Sequence, residues 1–296
     1  MVSQTLKKFL QPTLLSRKFF LVFTLLFLSG CASNFGNRPD VQQFIQHVSQ
    51  KDNFSESYLT GLFNEVHPRQ VYVHREKTAA EHTASWEHYR AIFMTRRRIE
   101  AGREFWRAHQ ATLDRAQQIY GVDPSVIIGI LGVETEYGEY EGKYRVIDSL
   151  STLAFNYPHR EYYFRNELEQ YLLLTRELNK DPLDLYGSYA GAMGYPQFMP
   201  TNYRTLAVSA TPGKQPDLFN NPDDAILSIA NYFHHMGWIP NKRPAVPLRR
   251  HQPNAVLFGD QYWHLYHNFE VIKRYNDSNF YAMAVYQLGQ TIKQGL

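Results

Sequence analysis

Glu134 is the residue whose type and place most directly suggest chemistry. It stands near the end of the run Ile127-Ile128-Gly129-Ile130-Leu131-Gly132-Val133-Glu134-Thr135, seven residues after Ile127, four after Ile130 and three after Leu131. At 3.6 residues per turn these positions share one helical face, so a carboxylate falls on an apolar stripe. Asp123-Pro124 reads as the N-cap and first helical position of this segment, and Gly138 as its close. Burial disfavours the charged form of a carboxyl and raises its pKa. An acid still protonated toward neutral pH can donate its proton to a leaving group. A plainer reading is a glutamate at the stripe's edge, salt-bridged or solvated, and spacing alone leaves both open. Glu136 falls about 200° around the helix from Glu134, and Glu139 and Glu141 lie in the loop beyond, so all three are expected to face solvent. His234-His235 is the one adjacent pair among twelve histidines, and no His/Cys spacing suggests zinc. No metal and no cofactor are expected.

The first thirty residues lie outside the expected fold. Lys7, Lys8, Arg17 and Lys18 precede the apolar run Phe19 to Leu28, which is too short to span a bilayer and sized for a signal-peptide core. Leu28-Ser29-Gly30-Cys31 resembles a bacterial lipobox, in which cleavage leaves a lipidated cysteine at the N-terminus. An ordinary cleavable signal or an uncleaved anchor is the alternative. Cys31 is the only cysteine, so no intrachain disulfide can form, and lipid attachment accounts for it better than a lone thiol. Ala32 and Ser33 follow, without aspartate. By resemblance to sorting in enteric-type bacteria, that favours lipid anchoring in the outer membrane, facing the periplasm. Removing the four leader cations from the formal charge of +3 leaves about −1, so the pI of 8.7 makes no case for a nucleic-acid partner. Arg96-Arg97-Arg98 is the one basic run, read as a solvated helix face, with an anionic partner as the alternative. Aromatic residues make up 15% of the chain, with 21 tyrosines. That suits sugar rings and cores equally.

Around Glu134 the chain reads as mainly helical. After a tether (31–40), the region 41–238 is expected to hold short helices at Val41–His47 and Ser55–Val66 and a brief strand-like alternation at Gln70–His74. A long helix should run from Arg98 to Tyr120, followed by the Glu134 helix and another at Arg160–Leu178. Gly187 to Pro200 is rich in glycine and proline and must be loop or broken helix. Asn221-Pro222 opens a helix that Gly237 ends. Residues 239–272 read as a small irregular or β-containing insertion, and 273–296 as a closing helix that completes the core.

Three segments carry a family resemblance. They are the Ile127–Thr135 run, Thr152-Leu153-Ala154-Phe155-Asn156-Tyr157-Pro158, and Gly187-Ser188-Tyr189-Ala190-Gly191-Ala192-Met193-Gly194-Tyr195-Pro196-Gln197-Phe198-Met199-Pro200. With Arg274-Tyr275-Asn276 and Tyr281-Ala282-Met283-Ala284-Val285, they resemble the membrane-bound lytic murein transglycosylase B family (glycoside hydrolase family 103) from about Tyr89 to Leu288. The resemblance implies a mainly α, goose-type lysozyme-like core with a helical N-terminal part. It also implies cleavage of the β-1,4 bond between N-acetylmuramic acid and N-acetylglucosamine of peptidoglycan, leaving a 1,6-anhydromuramic acid end. Glu134 matches the catalytic glutamate. Ser188 matches a serine that hydrogen-bonds it, and Gln197 a glutamine that binds the N-acetylated sugar. Tyr89, Tyr163, Tyr232, Tyr275 and Tyr281 match cleft tyrosines, and Asn276 a polar cleft residue. Met193 and Phe198 read as wall-forming packing residues. The expected partners are peptidoglycan glycan strands and outer-membrane lipid through Cys31, with the protein acting as a monomer.

The chain departs from that family in two places. Some relatives hold calcium in an EF-hand-like loop, but here the stretch is Ser209-Ala210-Thr211-Pro212-Gly213-Lys214-Gln215-Pro216-Asp217. Ser209, Thr211 and Gly213 stand where acidic ligands are needed. The segment between Trp238 and Tyr275 is about half the length found in enteric-type relatives. A muramidase on the same cleft, with water in place of the C6 hydroxyl, and a catalytically silent wall-binding lipoprotein remain the competing readings.

Overall fold

The computed structural model describes residues 34–78 and 84–296; the leader, the lipobox and Cys31 lie outside the described residues. The helix that carries Glu134 runs Pro124–Thr135 (α7 in chain order). Its start is as the sequence reads: Pro124 is the first helical residue, and the Asp123 carboxylate accepts the Ser125 N–H at 2.9 Å. The stripe expectation is corrected, because nearly the whole circumference of α7 is buried. A helix apolar all round belongs in the middle of a fold. Only Val133 and Glu134 are half-exposed along it, so the carboxylate sits where the core opens rather than on a buried face.

The closing helix α13 (Asn279–Lys293) packs along α7. Glycines set the distance between them. A Cβ on Gly129 would come 2.3 Å from the Val285 carbonyl oxygen, and one on Gly289 would come 1.9 Å from that of Ser125. Ridge-into-groove packing at this separation requires small residues at the crossing. Helix α11 (Pro222–His235), capped by Asn221, packs on α6 (Gln110–Tyr120). Helices α8 (Val146–Asn156), α9 (Glu161–Glu177) and α10 (Pro200–Leu206) pack in succession. The N-terminal helices α1 (Pro39–Asp52) and α2 (Glu56–Asn64) adjoin α8 through Phe35, Phe44, Phe63 and Phe155. The Arg38 guanidinium donates to the Asn156 side chain at 2.9 Å, and the His67 N–H to the Asp148 carboxylate at 2.9 Å.

Three local expectations change. Gln70–Lys77 is a helix (α3), not a strand; neighbouring Tyr72 and Val73 are both buried, so the brief alternation is not a sheet pattern. His74, Arg75 and Lys77 in its last turn suit a helix C-terminus. The helix expected over Arg98–Tyr120 is two, α5 (Arg96–Ala108) and α6, preceded by α4 (Trp86–Phe93). His109 leaves helical geometry between them, at φ −115° and ψ 21°, and its Nδ1 lies 2.9 Å from the Asp223 carboxylate. Within 239–272, β3 (Ala245–Leu248), β4 (Val256–Phe258) and β5 (Gln261–Leu265) form an antiparallel sheet in the order β3-β5-β4. Helix α12 (His267–Lys273) begins inside that stretch. The buried Asn268 side chain holds the segment by accepting the Ile239 N–H and donating to the Ile239 and Lys242 carbonyls.

Candidate active site

Glu134 occupies the last turn of α7, where the cleft opens, and its Oε1 accepts a hydrogen bond from the Tyr281 hydroxyl on α13. Tyr281 is 2% exposed. Burial, followed by the nearby charges of Glu134 and Tyr275, holds its hydroxyl well above the ordinary tyrosine range. It therefore stays protonated and serves as a fixed donor. Tyr275 stacks beside it, with ring centroids 6.4 Å apart and planes 13° apart, and donates to the Pro196 carbonyl at 2.5 Å. Tyr232 meets Tyr275 edge-on at 4.8 Å and donates to the Arg274 carbonyl at 2.5 Å. Phe198 and Phe233 complete an aromatic block behind the carboxylate.

The opposite wall is the glycine-rich segment. Strands β1 (Tyr144–Arg145) and β2 (Tyr186–Gly187) pair antiparallel and tie the loop after α7 to it. Met193 and Phe198 exchange N–H···O bonds of 2.9 and 3.1 Å, folding Gly194 to Gln197 into a tight turn. At Gly194, φ is 66° and a Cβ would meet the Leu218 carbonyl at 2.3 Å, so no other residue fits. The Ser188 Oγ accepts the N–H groups of Ala190 and Ala192 at 3.2 and 3.0 Å. With both lone pairs engaged, its hydroxyl acts as a donor. The Gln197 Nε2 donates to the Glu141 and Gly194 carbonyls at 3.0 and 2.9 Å. That network fixes the amide's orientation and leaves its oxygen as the recognition group.

Glu134, Tyr163, Ser188, Gln197, Tyr275 and Asn276 line one cleft of about 690 Å³. Tyr89, Tyr232 and Tyr281 are not on that lining. They are 2–4% exposed and stand behind the wall, Tyr89 against Phe93 and Phe280. These three were expected as sugar contacts and are instead the backing of the site. Met193 and Phe198 are buried, as read. Sequence reasoning passed over Arg160. It lies on the cleft wall 4.4 Å over the Tyr163 ring, and its guanidinium pairs with Glu76 at 2.6 Å. Arg274 and Asp277 share the cleft. No spacing marks Arg160 or Asp277; the signals are that Arg160 stands two residues after the Thr152–Pro158 motif and that Arg274 opens the Arg274-Tyr275-Asn276 segment.

Comparison with known proteins decides the family. A transglycosylase SLT domain profile matches residues 36–261 and 250–290. The chain belongs to this family. The membrane-bound lytic murein transglycosylase B of Escherichia coli (strain K12) is 38% identical over 304 residues, covering 88% of this chain and 84% of the relative. The soluble lytic transglycosylase SltB1 of Pseudomonas aeruginosa superposes with a TM-score of 0.81 at 37% identity, covering 87% of this chain and 99% of that one. The Escherichia coli lytic transglycosylase SLT35, solved in complex with bulgecin A, gives 0.80 at 37% identity, covering 88% and 95%. The architecture is thus the mainly α, lysozyme-like one expected, and the chain is a peptidoglycan lytic transglycosylase.

The remaining carboxylates of this transglycosylase need correction. Helix α7 ends at Glu136, in the left-handed region at φ 51°, rather than at Gly138. Glu136 is not solvated: its side chain is 11% exposed and paired with Arg97 and Arg98. Glu141 is half-buried, and burial followed by the charge of Asp217 pushes its carboxyl up to about 7. Only Glu139 is exposed as expected. In the loop over 209–217, the buried Asp224 carboxylate accepts the N–H groups of Ala210 and Asp217 at 2.7 and 2.8 Å, closing the loop on itself. Among the described residues no group of three or more His, Cys, Asp or Glu side chains could hold a metal ion. No described helix is long and apolar enough to cross a membrane.

Proposed function

We propose that Glu134 carries both proton transfers of this chain's lytic transglycosylase reaction, on the bond between N-acetylmuramic acid and N-acetylglucosamine. The observation that supports this reading is a half-buried carboxylate held by Tyr281 at the mouth of a cleft lined by Tyr163, Ser188, Gln197 and Asn276. Glu134 as the acid gives its proton to the glycosidic oxygen as the C1–O bond breaks. The N-acetyl oxygen of the muramic acid supports C1 from within the substrate, as in glycosidases without a second carboxylate. Glu134, now a carboxylate, takes the proton of the C6 hydroxyl while that oxygen bonds to C1 and the N-acetyl group withdraws. No water is consumed, and the product ends in 1,6-anhydromuramic acid. Intramolecular attack at high effective molarity favours the C6 hydroxyl over water. Ser188 orients the carboxyl, and Gln197 presents its amide oxygen to the N–H of the acetamido group.

The relative named membrane-bound and the leader with Cys31 support a lipid-anchored enzyme, which we take to act as a monomer on the periplasmic face of the outer membrane. Mass spectrometry of peptidoglycan digested by the chain from Ala32 onward, beside Glu134→Gln, tests the reading. Anhydromuramic ends that vanish in the variant support it. Reducing ends, one water heavier, would assign a muramidase, and no product from either protein would leave a wall-binding lipoprotein.

A further inference from the structure

The two residues after Thr135 are not glycine, yet both adopt left-handed backbone, Glu136 at φ 51° and Tyr137 at φ 63°. The Tyr137 N–H bonds the Leu131 carbonyl at 3.0 Å and the Tyr140 N–H that of Thr135 at 2.9 Å, which closes the end of α7. Side chains from α5 hold this turn. Arg97 Nε donates to one oxygen of Glu136 at 2.7 Å, and Arg98 Nη2 donates to the other at 3.0 Å. Arg97 also reaches the Tyr140 hydroxyl at 3.2 Å. The Tyr137 ring enters the space left by Gly102 of α5 and Gly132 of α7, where a Cβ would lie 2.4 and 2.5 Å from its hydroxyl. Within the basic run, Arg98 is therefore withdrawn from solvent at 13% exposure, whereas Arg97 pairs with Glu136 and still keeps its side chain 61% exposed, as a solvated face would.

We propose that Glu136, with Arg97 and Arg98, is a positioning residue whose ionic clamp fixes the end of α7 and so the direction in which Glu134 enters the cleft. This rests on the reading of Glu134 as the acid and base. Glu134 lies two residues before Glu136, in the turn being clamped. That turn has a tie to α13 through Tyr281 and a tie to the glycine-rich segment through the Thr135 hydroxyl, which donates to the Tyr195 carbonyl at 3.0 Å. The clamp adds the tie to α5, and ties to three separate elements prevent the turn from rotating. Charge-assisted bonds on both carboxylate oxygens give directional hold. Loss of Glu136 would strand Arg98, which is 13% exposed, without its counter-charge.

Glu136→Gly is the test, because glycine keeps the left-handed backbone without strain while removing the side chain that bears the carboxylate, and Glu136→Gln beside it removes the charge without loosening the backbone. Its kcat on peptidoglycan should fall about tenfold, with KM changed less than about twofold. Amide hydrogen exchange at Tyr137 and Tyr140 should accelerate. Arg98→Glu should be impaired in the same way, and adding Glu136→Arg to it should restore at least about half of the lost kcat. Wild-type turnover in Glu136→Gly, a defect confined to KM, or unchanged exchange at both amides would overturn the clamp. A wild-type protein that forms no anhydromuramic ends would sink the transglycosylase reading instead, and the exchange measurement decides the clamp by itself.

Discussion

An alanine at position 129 would place its methyl carbon 2.3 Å from the Val285 carbonyl oxygen and 3.1 Å from that residue's Cγ1. Carbon–oxygen contacts settle at about 3.3–3.6 Å, so α7 and α13 would have to part by about 1 Å. The hydrogen bond between Tyr281 and Glu134 spans that same pair of helices. Overpacking of this kind costs about 1–3 kcal/mol, and alanine's advantage over glycine in a helix returns about 1 kcal/mol. The net loss of about 0–2 kcal/mol corresponds to a fall in Tm of about 0–8 °C for a chain of this size. Activity should suffer far more, since a misplacement of about 1 Å at a reacting group can cost about 100-fold in rate. The assay is the initial rate of muropeptide release beside a thermal melt, for Gly129→Ala and for Gly61→Ala. Gly61 is exposed in α2, and a Cβ there meets nothing within 4 Å. That control should keep its rate and gain up to about 1 kcal/mol. A Gly129→Ala protein with wild-type rate and a raised melting temperature would refute the claim that helix separation sets the catalytic geometry.

Tyr281→Phe removes one hydrogen bond to a charged group, worth about 1.5–3 kcal/mol. Its kcat should drop about 10- to 150-fold, and an unchanged kcat would take Tyr281 out of the site. Glu141 titrates near 7 in the fold against an ordinary 4.5, so the folded state binds the proton more tightly than the unfolded one. Stability from this group is present at low pH and is lost as pH rises from about 4.5 through 7. Glu141→Gln should therefore gain melting temperature relative to wild type at pH 8 more than at pH 5, and parallel pH profiles would contradict the assignment. Adding a calcium chelator should leave the melting temperature unchanged, since Ser209, Thr211 and Gly213 offer no acidic ligands; a clear drop would overturn the reading of that loop.

The parts of this fold that were legible in the sequence have local causes. Asp123-Pro124 caps α7 and Asn221-Pro222 caps α11 because an N-cap acts within three residues of itself. The glycine-rich segment was legible as a broken loop for the same reason. The break at His109 and the helix over Gln70–Lys77 depend on distant partners, Asp223 in one case and Tyr144 in the other. No pattern within either segment encodes them. Glu134 was found for a partly wrong reason: the stripe was expected to bury it, whereas α7 is buried almost all round and opens at its end. Tyrosines named by motif alone could not be divided into wall and backing, because that division follows from the packing of α4, α11 and α13 rather than from residue type. Glu136 was misjudged because a helical wheel assumes that the helix continues, and the left-handed turn redirects its side chain to α5.

The tie between Glu134 and Tyr281 crosses 147 residues of chain, and its far end lies on the last helix. Contacts so distant in sequence form late, after the loop between them has been ordered. A chain synthesised or translocated only as far as the β3–β5 sheet already carries its acid and its whole glycine-rich wall. It still lacks Tyr275, Asn276 and Tyr281, and with them the donor that fixes the acid. A partial or C-terminally clipped chain would therefore hold its acid without the tyrosine that fixes it and without one end of the cleft wall. The closing helix thus arrives last and brings the donor with it, and a chain that lacks it should cut no faster than Tyr281→Phe.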